Sequence, residues 1–541
     1  MVITANGMSY KEVREELVPV RIVDSHGVEN LENLTKPNPA CVSFETEGWT
    51  IFRESGSCVV LDYGRELCGG VRIITRKMRG TGKWRLTFGE SLTEAYACIG
   101  EKNATNDHSP RDFEIVTGMM SDLQYGQTGF RFVRIELLEG APVTVQNVFA
   151  VSTLPEFDAE ASIRTDDEEL NEILRTAAYT LKLNFQKGYI WDGIKRDRLV
   201  WCGDLNPEIL TSLYLFGDTE NIRNSLTFLK NSTDADAWIN GIPTYSAWWV
   251  INLCDYYRMT GNKTFLEENK TYARAVICHF DRCIQEDGTM SLQKQCGMEY
   301  FLDWSTFANQ KEAYVGTAAL ILIMAQKYNA IEENADCQRI VGCLSRYLDE
   351  KTAMKPIRAF QILAGRENPE DGEMLAKDGA KGFSTFMAYY ILTAMSRTGR
   401  EEMLPLLKSY YGAMLSRGAT SFWEDFDMDW MEDSGRIDEL PEMGQKDIHG
   451  DFGKYCYEKF RHSLCHGWAS GVLAFVVEHI IGIHIEDGGK QVSVQPHLSG
   501  LHDIEATIPV NGGMLNVSIH GDRTEVKAPK GIKIQERTKV S

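Results

Sequence analysis

The spacing of hydrophobic residues changes twice along the chain and divides it into three regions. Up to about residue 160, short β-prone runs at 58–63, 70–75, 83–88 and 129–138 are separated by glycines and charged residues. The run 129–138 alternates apolar residues with Arg131, Arg134 and Glu136, as a half-buried strand does. This region is predicted to be an antiparallel β-sandwich.

From about Thr165 the hydrophobic residues recur at helical spacing. Helices are predicted near 166–186, 207–217, 219–231, 244–260, 263–284, 311–328, 335–349, 383–397, 401–414 and 465–482, whereas the stretch 354–376 has no clear pattern. Helices joined by short connections favour antiparallel hairpins that close on themselves. A helical solenoid is the alternative, although no motif repeats at a fixed period.

After residue 482 the pattern is strand-like again, with glycine turns between short runs. The predicted domains are therefore an N-terminal β-sandwich (1–160), a helical domain (161–483) and a small C-terminal β-sandwich (484–541). Loops of the middle domain should form the main cavity, and any chemistry is expected there.

Composition narrows the possible partners. The 541 residues include 57 basic and 77 acidic side chains, a formal net charge of -20, which disfavours nucleic acid and acidic membrane surfaces. No secretory leader or run of about 20 apolar residues is visible. The 13 cysteines are scattered and include no C-x-x-C pair, which is typical of a reducing compartment. We expect a cytoplasmic protein, and its oligomeric state stays open.

The densest polar cluster lies at 189–210, where charged residues stand among Tyr189, Trp191 and Trp201. Its charged members are Asp192, Lys195, Arg196, Asp197, Arg198 and Asp204. Asn206 followed by Pro207 predicts a helix start, with Asn206 as the N-cap. The acids then occupy a loop that enters a helix, a common place for functional residues. A solvated charged loop is the alternative.

Two further segments carry candidate chemistry. Glu424 follows Trp423 directly, and we expect it to be functional, whereas Asp425 and the aspartates behind it are expected to form a solvated acidic loop. A calcium loop is excluded because that spacing lacks the required glycine and glutamate. His466 and Trp468 open the last predicted helix, and a packed, hydrogen-bonded histidine is the alternative to a functional one.

Other chemistries find no support in the sequence. A phosphate-binding loop, a dinucleotide fingerprint, the G-x-S-x-G and H-E-x-x-H motifs and metal-ligand spacing of histidine with cysteine are not found. No cofactor or metal is therefore expected. Two acids on separate segments, with aromatic platforms beside them, indicate glycoside hydrolysis, in which one acid protonates the leaving oxygen and the other activates water or attacks the anomeric carbon.

These segments resemble motifs of the bacterial α-L-rhamnosidases of glycoside hydrolase family 78. The run D-G-I-K-R-D-R-L-V-W-C-G-D at 192–204 is similar to the family motif D-C-P-x-R-E-R-L-G-W-x-G-D. "GATSFWE", "SLCHGWASG" and "FLDWS" resemble its base, histidine and pocket segments. The resemblance covers most of the chain. It implies a central (α/α)6 barrel between two β-sandwiches and the inverting removal of terminal α-L-rhamnose from small glycosides or oligosaccharides.

The resemblance also implies a role for each matching residue. Asp197 would be the proton donor and Glu424 the general base. Asp192 and Asp204 would bind sugar hydroxyls or hold the proton donor in place. The remaining residues expected to bind the carbohydrate substrate are Arg196, Trp201, Trp249, Asp303, Trp304 and His466.

The chain departs from the family pattern at three places. Asp197 stands where the family usually has glutamate, Gly193-Ile194 replaces Cys-Pro, and Cys465 replaces the asparagine before the histidine. An aspartate is one methylene shorter than a glutamate, a loss of roughly 1.5 Å of reach. Two alternatives therefore stay open: the same fold acting on a different terminal sugar, and a non-catalytic carbohydrate-binding relative.

Overall fold

The structure is a computed structural model that describes residues 2–3, 9–38, 41–45, 47–77, 79–292, 297–453 and 457–535. Its N-terminal part consists of strands, one short α-helix and two 3₁₀ turns (Leu31–Thr35 and Glu101–Asn103). The strands and the α-helix are β1 (Val2–Ile3), β2 (Ser9–Tyr10), β3 (Glu12–Leu17), β4 (Arg21–His26), β5 (Val28–Glu29), β6 (Thr50–Phe52), β7 (Cys58–Arg76), β8 (Gly82–Gly89), α1 (Leu92–Tyr96), β9 (Asp112–Thr117), β10 (Met120–Glu139) and β11 (Val143–Pro155).

Nine of these strands form one antiparallel sheet, in the order β5-β6-β11-β7-β10-β8-β9, with β3 paired to β11 and β4 paired to β7. A register shift in β10 between Phe130 and Phe132 explains the irregular alternation of its sequence. Phe130 and Val133 face the main core of the sheet, whereas Phe132 packs on the other face with residues of α1. Arg131 is buried too, against Asp62.

The middle of the chain is mainly helical. Its elements are β12 (Ser162–Thr165), α2 (Glu168–Asn184), β13 (Phe185–Gln186), β14 (Tyr189–Ile190), α3 (Leu205–Phe216), α4 (Glu220–Ser232), α5 (Pro243–Thr260), α6 (Lys263–Arg282), α7 (Trp304–Phe307), α8 (Gln310–Ile331), α9 (Ala335–Leu344), α10 (Lys355–Leu363), α11 (Glu370–Ala376), α12 (Met387–Arg397), α13 (Met403–Ser416) and α14 (Gly471–Phe475). A 3₁₀ turn (Gly467–Ser470) precedes α14, and a π turn (Val476–Ile480) follows it.

Six helices form a closed inner ring. α3, α5, α8, α10, α12 and α14 each contact the next, and α14 returns to contact α3. Every residue of α3 is buried, whereas the outer helix α4 buries one face. The ring is therefore closed, unlike the solenoid alternative. The stretch 354–376, which had no clear sequence pattern, contains α10 and α11.

The C-terminal strands are β15 (Ile483–Glu486), β16 (Gln491–Val494), β17 (Asp503–Val510), β18 (Gly513–His520), β19 (Arg523–Lys527) and β20 (Lys533–Gln535). They form two sheets, β12-β17-β18-β19 and β15-β16-β20. Because β12 pairs with β17, residues 162–165 extend the C-terminal sheet, although the sequence pattern had placed them in the helical region. Within the described ranges, none of the helices has the length and hydropathy that a membrane span requires.

The predicted cap of α3 is wrong. The helix begins at Leu205 with Asp204 in the N-cap position, so Asn206 already lies inside the helix. Its side chain instead donates to Asn252 of α5 at 2.8 Å and accepts from Tyr390 of α12 at 2.8 Å. Hydrogen bonds inside the ring have replaced the capping role, because a buried amide needs partners for both its ends.

Candidate active site

The predicted polar segments meet at one end of the helical ring. A cavity of about 350 Å³ lies at this end. Its walls are formed by residues at or just before the first turns of inner helices, and by two loops. The lining residues are Asp192, Asp197, Trp201, Asp204, Asn240, Ile242, Tyr245, Met298, Trp304, Glu424, Tyr457, His466 and Trp468. The five residues on which the predicted chemistry depends (Asp192, Asp197, Asp204, Glu424 and His466) therefore share one cavity.

The loop that carries Asp197, the predicted proton donor, is held in a strained conformation. Asp197 and Arg198 both have left-handed backbones, with φ of 50° and 57°. Such conformations cost about 1–3 kcal/mol each in residues other than glycine, and they cluster at functional sites. The loop is fixed at its start by hydrogen bonds from Gly467 N to Asp192 O at 2.7 Å and from Leu199 N to the Asp192 carboxylate at 2.9 Å.

Gly203 is required by the close approach of an aromatic ring. A side chain at this position would meet the Tyr245 ring at 2.5 Å. The Tyr245 hydroxyl donates to the Asp204 carboxylate at 3.2 Å. The glycine of the motif therefore allows a tyrosine from α5 to reach the acid that opens α3.

Arg196 joins the two predicted catalytic acids. Its Nη1 donates to Asp197 Oδ1 at 3.1 Å, its Nη2 donates to Glu424 Oε2, and its Nε donates to the carbonyl of Arg461 at 2.6 Å. The guanidinium also lies over the ring of Tyr457, 3.2 Å from its centroid. The nearby carboxylates raise the pKa of Arg196 although burial opposes this, so the group stays cationic.

Both oxygens of Asp197 accept hydrogen bonds. Besides Arg196, the Tyr457 hydroxyl lies 3.0–3.1 Å from both oxygens, and Trp201 Nε1 donates to Oδ2 at 3.1 Å. His108 of the N-terminal region lies 3.6 Å from Oδ1. The carboxyl is thus held in one orientation by side chains from both domains.

Glu424 is fixed through one of its two oxygens. Oε2 accepts from Arg196 and from Ser463 N, the latter at 3.1 Å. Its backbone carbonyl accepts from Trp468 Nε1 at 2.9 Å and from the hydroxyl of Thr385. In the part of the chain that the structure describes, no hydrogen bond to Oε1 is made, so this oxygen remains for a molecule in the cavity.

One wall of the cavity is formed by the polar groups of Asp192, Asp204 and His466, and burial favours the uncharged form of each. Burial raises the pKa of Asp192 and of Asp204 well above the usual range, and neighbouring carboxylates add to the effect. Burial also lowers the pKa of His466, so its imidazole is neutral. His466 Nε2 lies 3.7 Å from Asp192 and 3.9 Å from Asp204. Neutral carboxyls and a neutral imidazole can both donate and accept hydrogen bonds.

A small recess continues from the cavity beyond Glu424. It is lined by Asp303, Trp304, Ser384, Glu424, Asp425, Tyr457 and Trp468. Asp303 caps α7 and accepts from Ser384 at 2.9 Å. Burial, followed by the charges of Asp303 and Glu424, raises the pKa of Asp425 to about 8. The expectation that Asp425 is a solvated loop residue is therefore wrong, because the segment folds inward against His462.

The structure does not bring every predicted residue to the cavity. Trp249 is fully buried within the helical domain, where its Nε1 donates to Leu226 O at 3.0 Å and its ring contacts Tyr272. It lies on the side of α5 that faces α4 and α6, so it has a packing role. Asp303 lines the recess, and Trp304 lines both the recess and the cavity. Arg196 takes part in the site through its hydrogen bonds to Asp197 and Glu424.

Several lining residues had no sequence signal. Tyr245 and Tyr457 each contact a predicted acid, yet neither belongs to a polar cluster or a recognisable motif. Met298 and Asn240 come from connections between helices. Only Trp468, beside His466, could have been found from its neighbourhood.

Comparison with known proteins agrees with this geometry. Residues 158–338 match the model of the bacterial alpha-L-rhamnosidase six-hairpin glycosidase domain. The resemblance to bacterial α-L-rhamnosidases is confirmed. The predicted six-hairpin helical domain, with sheet regions beside it, is confirmed at that level, and residues 158–338 are similar to the glycosidase domain of the rhamnosidases.

Solved structures of rhamnosidases share the fold across most of this chain. The family 78 rhamnosidase of Bacillus sp. GL1 has a TM-score of 0.72 and 20% identity, covering 93% of this chain and 55% of that one. A Klebsiella oxytoca rhamnosidase with rhamnose bound has a TM-score of 0.66 and 18% identity, with 86% and 96% covered. The Streptomyces avermitilis α-L-rhamnosidase complexed with L-rhamnose has a TM-score of 0.67 and 15% identity, with 96% and 49% covered.

This chain thus spans about half the length of the Bacillus and Streptomyces rhamnosidases. A comparison with curated protein sequences gave no significant match. The similarity to the rhamnosidases therefore rests on the matched segment, on the fold and on the motifs in the cavity.

Proposed function

We propose that the protein is an inverting α-L-rhamnosidase that removes terminal L-rhamnose from small glycosides or oligosaccharides. In this proposal the helical ring acts as an (α/α)6 barrel between two β-sandwiches. The observation that carries the proposal is the joint binding of Asp197 and Glu424 by the Arg196 guanidinium at the wall of one cavity. Glycoside hydrolysis needs two carboxyl groups on either side of the scissile bond.

Asp197 is assigned the role of general acid. A general acid must carry a proton that it gives to the leaving oxygen. The Tyr457 hydroxyl, within 3.1 Å of both carboxyl oxygens, can accept a hydrogen bond from protonated Asp197 and donate one after the proton has left. Trp201 and Arg196 hold the group in place during this exchange.

Glu424 is assigned the role of general base. Its Oε2 is bound by Arg196 and Ser463, which leaves Oε1 to orient and deprotonate a water molecule. Inversion requires room for that water, and carboxyl groups of inverting enzymes are roughly 6.5–9.5 Å apart. The Trp468 indole, which donates to the Glu424 carbonyl, fixes the backbone of the base.

The uncharged wall suits the hydroxyls of a sugar. Asp192, Asp204 and His466 offer donors and acceptors without a net charge. His466 Nδ1 is buried and has no hydrogen-bond partner among the described residues, and a sugar hydroxyl would supply one. Trp201 and Trp304 at the lining can pack on the apolar face of a pyranose ring.

A non-catalytic sugar-binding protein is the second candidate, and one observation favours it. The donors around Asp197 (Arg196, Trp201 and Tyr457) suit an ionised carboxylate, which cannot act as an acid until it gains a proton. In this candidate the cavity still binds a sugar, but no bond is cleaved.

A panel of aryl glycosides separates these candidates. We expect release of the phenol from the α-L-rhamnoside, with much slower release from α-L-fucoside, α-D-mannoside and β-D-glucoside. Faster hydrolysis of another glycoside in the panel would show that the enzyme is specific for that sugar instead of L-rhamnose. Binding of L-rhamnose measured by calorimetry, without turnover of any glycoside, would establish the binding protein and reject the enzyme.

We also propose that the protein works in the cytoplasm. The eleven described cysteines have free thiols, several of them buried as small core residues. Free thiols persist in reducing compartments. Detection of the native protein in the soluble cytoplasmic fraction, and not among secreted proteins, is the test.

A further inference from the structure

Lys195, which precedes Arg196 and Asp197, is buried, and its ammonium group lies between two carboxylates. Its Nζ lies 2.9 Å from Glu90 Oε2 and 3.1 Å from Glu94 Oε1. It also donates to the carbonyls of Phe460 and His462, at 3.0 and 2.7 Å. An ammonium has three protons to donate, so these four acceptors saturate it.

The two carboxylates come from the N-terminal region. Glu90 precedes α1, Glu94 lies within it, and both side chains are completely buried. Glu90 also accepts from Leu464 N at 2.6 Å and from Ser463 Oγ at 3.2 Å. The N-terminal region therefore contacts the helical domain through a pair of acids, at α1, that bind one lysine.

A metal ion is the obvious alternative occupant of this cluster. Glu90, Glu94 and His449 place three potential ligand atoms within 4.8 Å of one another. However, the ammonium of Lys195 contacts both carboxylates directly. His449 is engaged on both sides, with Ser91 Oγ at 2.7 Å and the carbonyl of His462 at 3.0 Å. Lys195 thus supplies the positive charge that a cation would otherwise bring.

The contacts of Lys195 connect the segments of both proposed catalytic acids. On the acid side, Lys195 is joined by the backbone to Arg196 and Asp197. On the base side, the carbonyls of Phe460 and His462 flank Arg461, whose carbonyl accepts from Arg196 Nε at 2.6 Å. The next residue, Ser463, binds the Glu424 carboxylate through its N–H. Lys195 therefore fixes the loop of Asp197 against the segment that holds Glu424.

We propose that Lys195 is a positioning residue for catalysis: the Glu90–Glu94 pair of the N-terminal region holds its ammonium, and the ammonium sets the placement of the Asp197 carboxyl relative to Glu424. This inference rests on the proposed function. It also makes the N-terminal region a part of the catalytic geometry. Misplacement of a catalytic group by about 1 Å can cost on the order of 100-fold in rate.

The test compares Lys195→Met with the double variant Glu90→Gln/Lys195→Met. In the single variant the buried carboxylates of Glu90 and Glu94 lose the Lys195 ammonium, and only Glu94 keeps a nearby cation, Arg111 Nε at 3.7 Å, so the protein is expected to be unstable. The double variant removes one of those carboxylates, so much of the stability should return, but the link to the 460–462 carbonyls stays broken. Lys408→Met is the matched control, because Lys408 also lies between two carboxylates, Asp167 and Glu169, at a distance from the cavity.

The melting temperature is measured for each variant, together with kcat and KM on a nitrophenyl and an alkyl α-L-rhamnoside. The crystal structure is determined for the double variant. We expect kcat of the double variant to fall about 100-fold on the alkyl glycoside and much less on the nitrophenyl one, since nitrophenol leaves without protonation. KM should change little. Lys408→Met should retain wild-type kcat on both substrates.

Recovery of kcat together with stability in the double variant would show that Lys195 is only structural and would overturn the proposal. So would a crystal structure in which the Asp197 carboxyl has not moved. A wild-type protein that hydrolyses no glycoside would reject the proposed function instead. In that case the position of Asp197 in the double variant still decides whether Lys195 places it.

Discussion

Asp425 allows the electrostatics of the recess to be tested through stability. Its carboxyl is predicted to keep its proton up to a pH of about 8, because burial and the charges of Asp303 and Glu424 disfavour the ionised form. In the unfolded chain the same group ionises near its ordinary pKa of 3.8. Replacing Asp425 with asparagine keeps the shape of the neutral side chain and removes the titration.

The sign of the effect follows from proton binding. Between pH 4 and pH 8 the folded protein holds a proton on Asp425 that the unfolded chain has lost, so the stability contributed by this group falls as the pH rises through that window. Each pH unit is worth about 1.4 kcal/mol. At pH 7 the wild type would thus be destabilised by up to about 4 kcal/mol relative to Asp425→Asn, whereas at pH 4 the two should be equal.

Thermal unfolding measured at pH 4, 5.5, 7 and 8 checks this prediction. A difference of about 4 kcal/mol corresponds to roughly 5 °C for a cooperative unit of a few hundred residues. Asp429→Asn is the control, because Asp429 belongs to the same segment but is 67% exposed in an ion pair with Lys381. A gain in melting temperature that is the same at every pH, or that Asp429→Asn reproduces, would refute the assigned environment of Asp425.

Three further predictions concern the proposed chemistry. Glu424→Gln should lower kcat by about 10²–10⁴-fold in steady-state assays, and calorimetry should also show reduced stability, because Arg196 loses a buried counter-charge. Tyr457→Phe removes the hydroxyl that contacts both oxygens of Asp197, and we expect about a 10-fold loss of kcat on alkyl rhamnosides with KM nearly unchanged. Proton NMR of the reaction should show the β-anomer first from an α-linked substrate, and initial release of the α-anomer would contradict inversion.

The amphipathic outer helices could be predicted closely, because local signals define them. In α2 the Asp167 side chain caps the helix by accepting from Leu170 N at 2.9 Å, and one face is buried. Inner helices such as α3 are buried all round, so their sequences show apolar content but little period. The pairing of β12 with β17 joins residues more than 300 positions apart and has no local signal.

The candidate site was predicted where chemistry is concentrated in the sequence and missed where it is not. The acids at 192–204 stand close together, and this density pointed to them. Tyr457 is one tyrosine among 21, and only the fold brings it against Asp197. Trp249 shows the opposite error, since a tryptophan on a helix that opens into the cavity can still face away from it. Asp425 was misplaced because an acidic run does not reveal which of its members turns inward.

The charge of Arg196 gives a physical reason for the arrangement of the two acids. An inverting pair works with one carboxyl protonated and the other ionised, so the pair carries a single negative charge. One guanidinium that binds both groups balances that charge, whereas two ionised carboxylates would leave one buried negative charge without a partner, which is costly. The neutral wall of Asp192, Asp204 and His466 adds no further charge to this balance. In the proposed mechanism, the Arg196 guanidinium therefore balances the single negative charge that an acid–base pair of Asp197 and Glu424 carries.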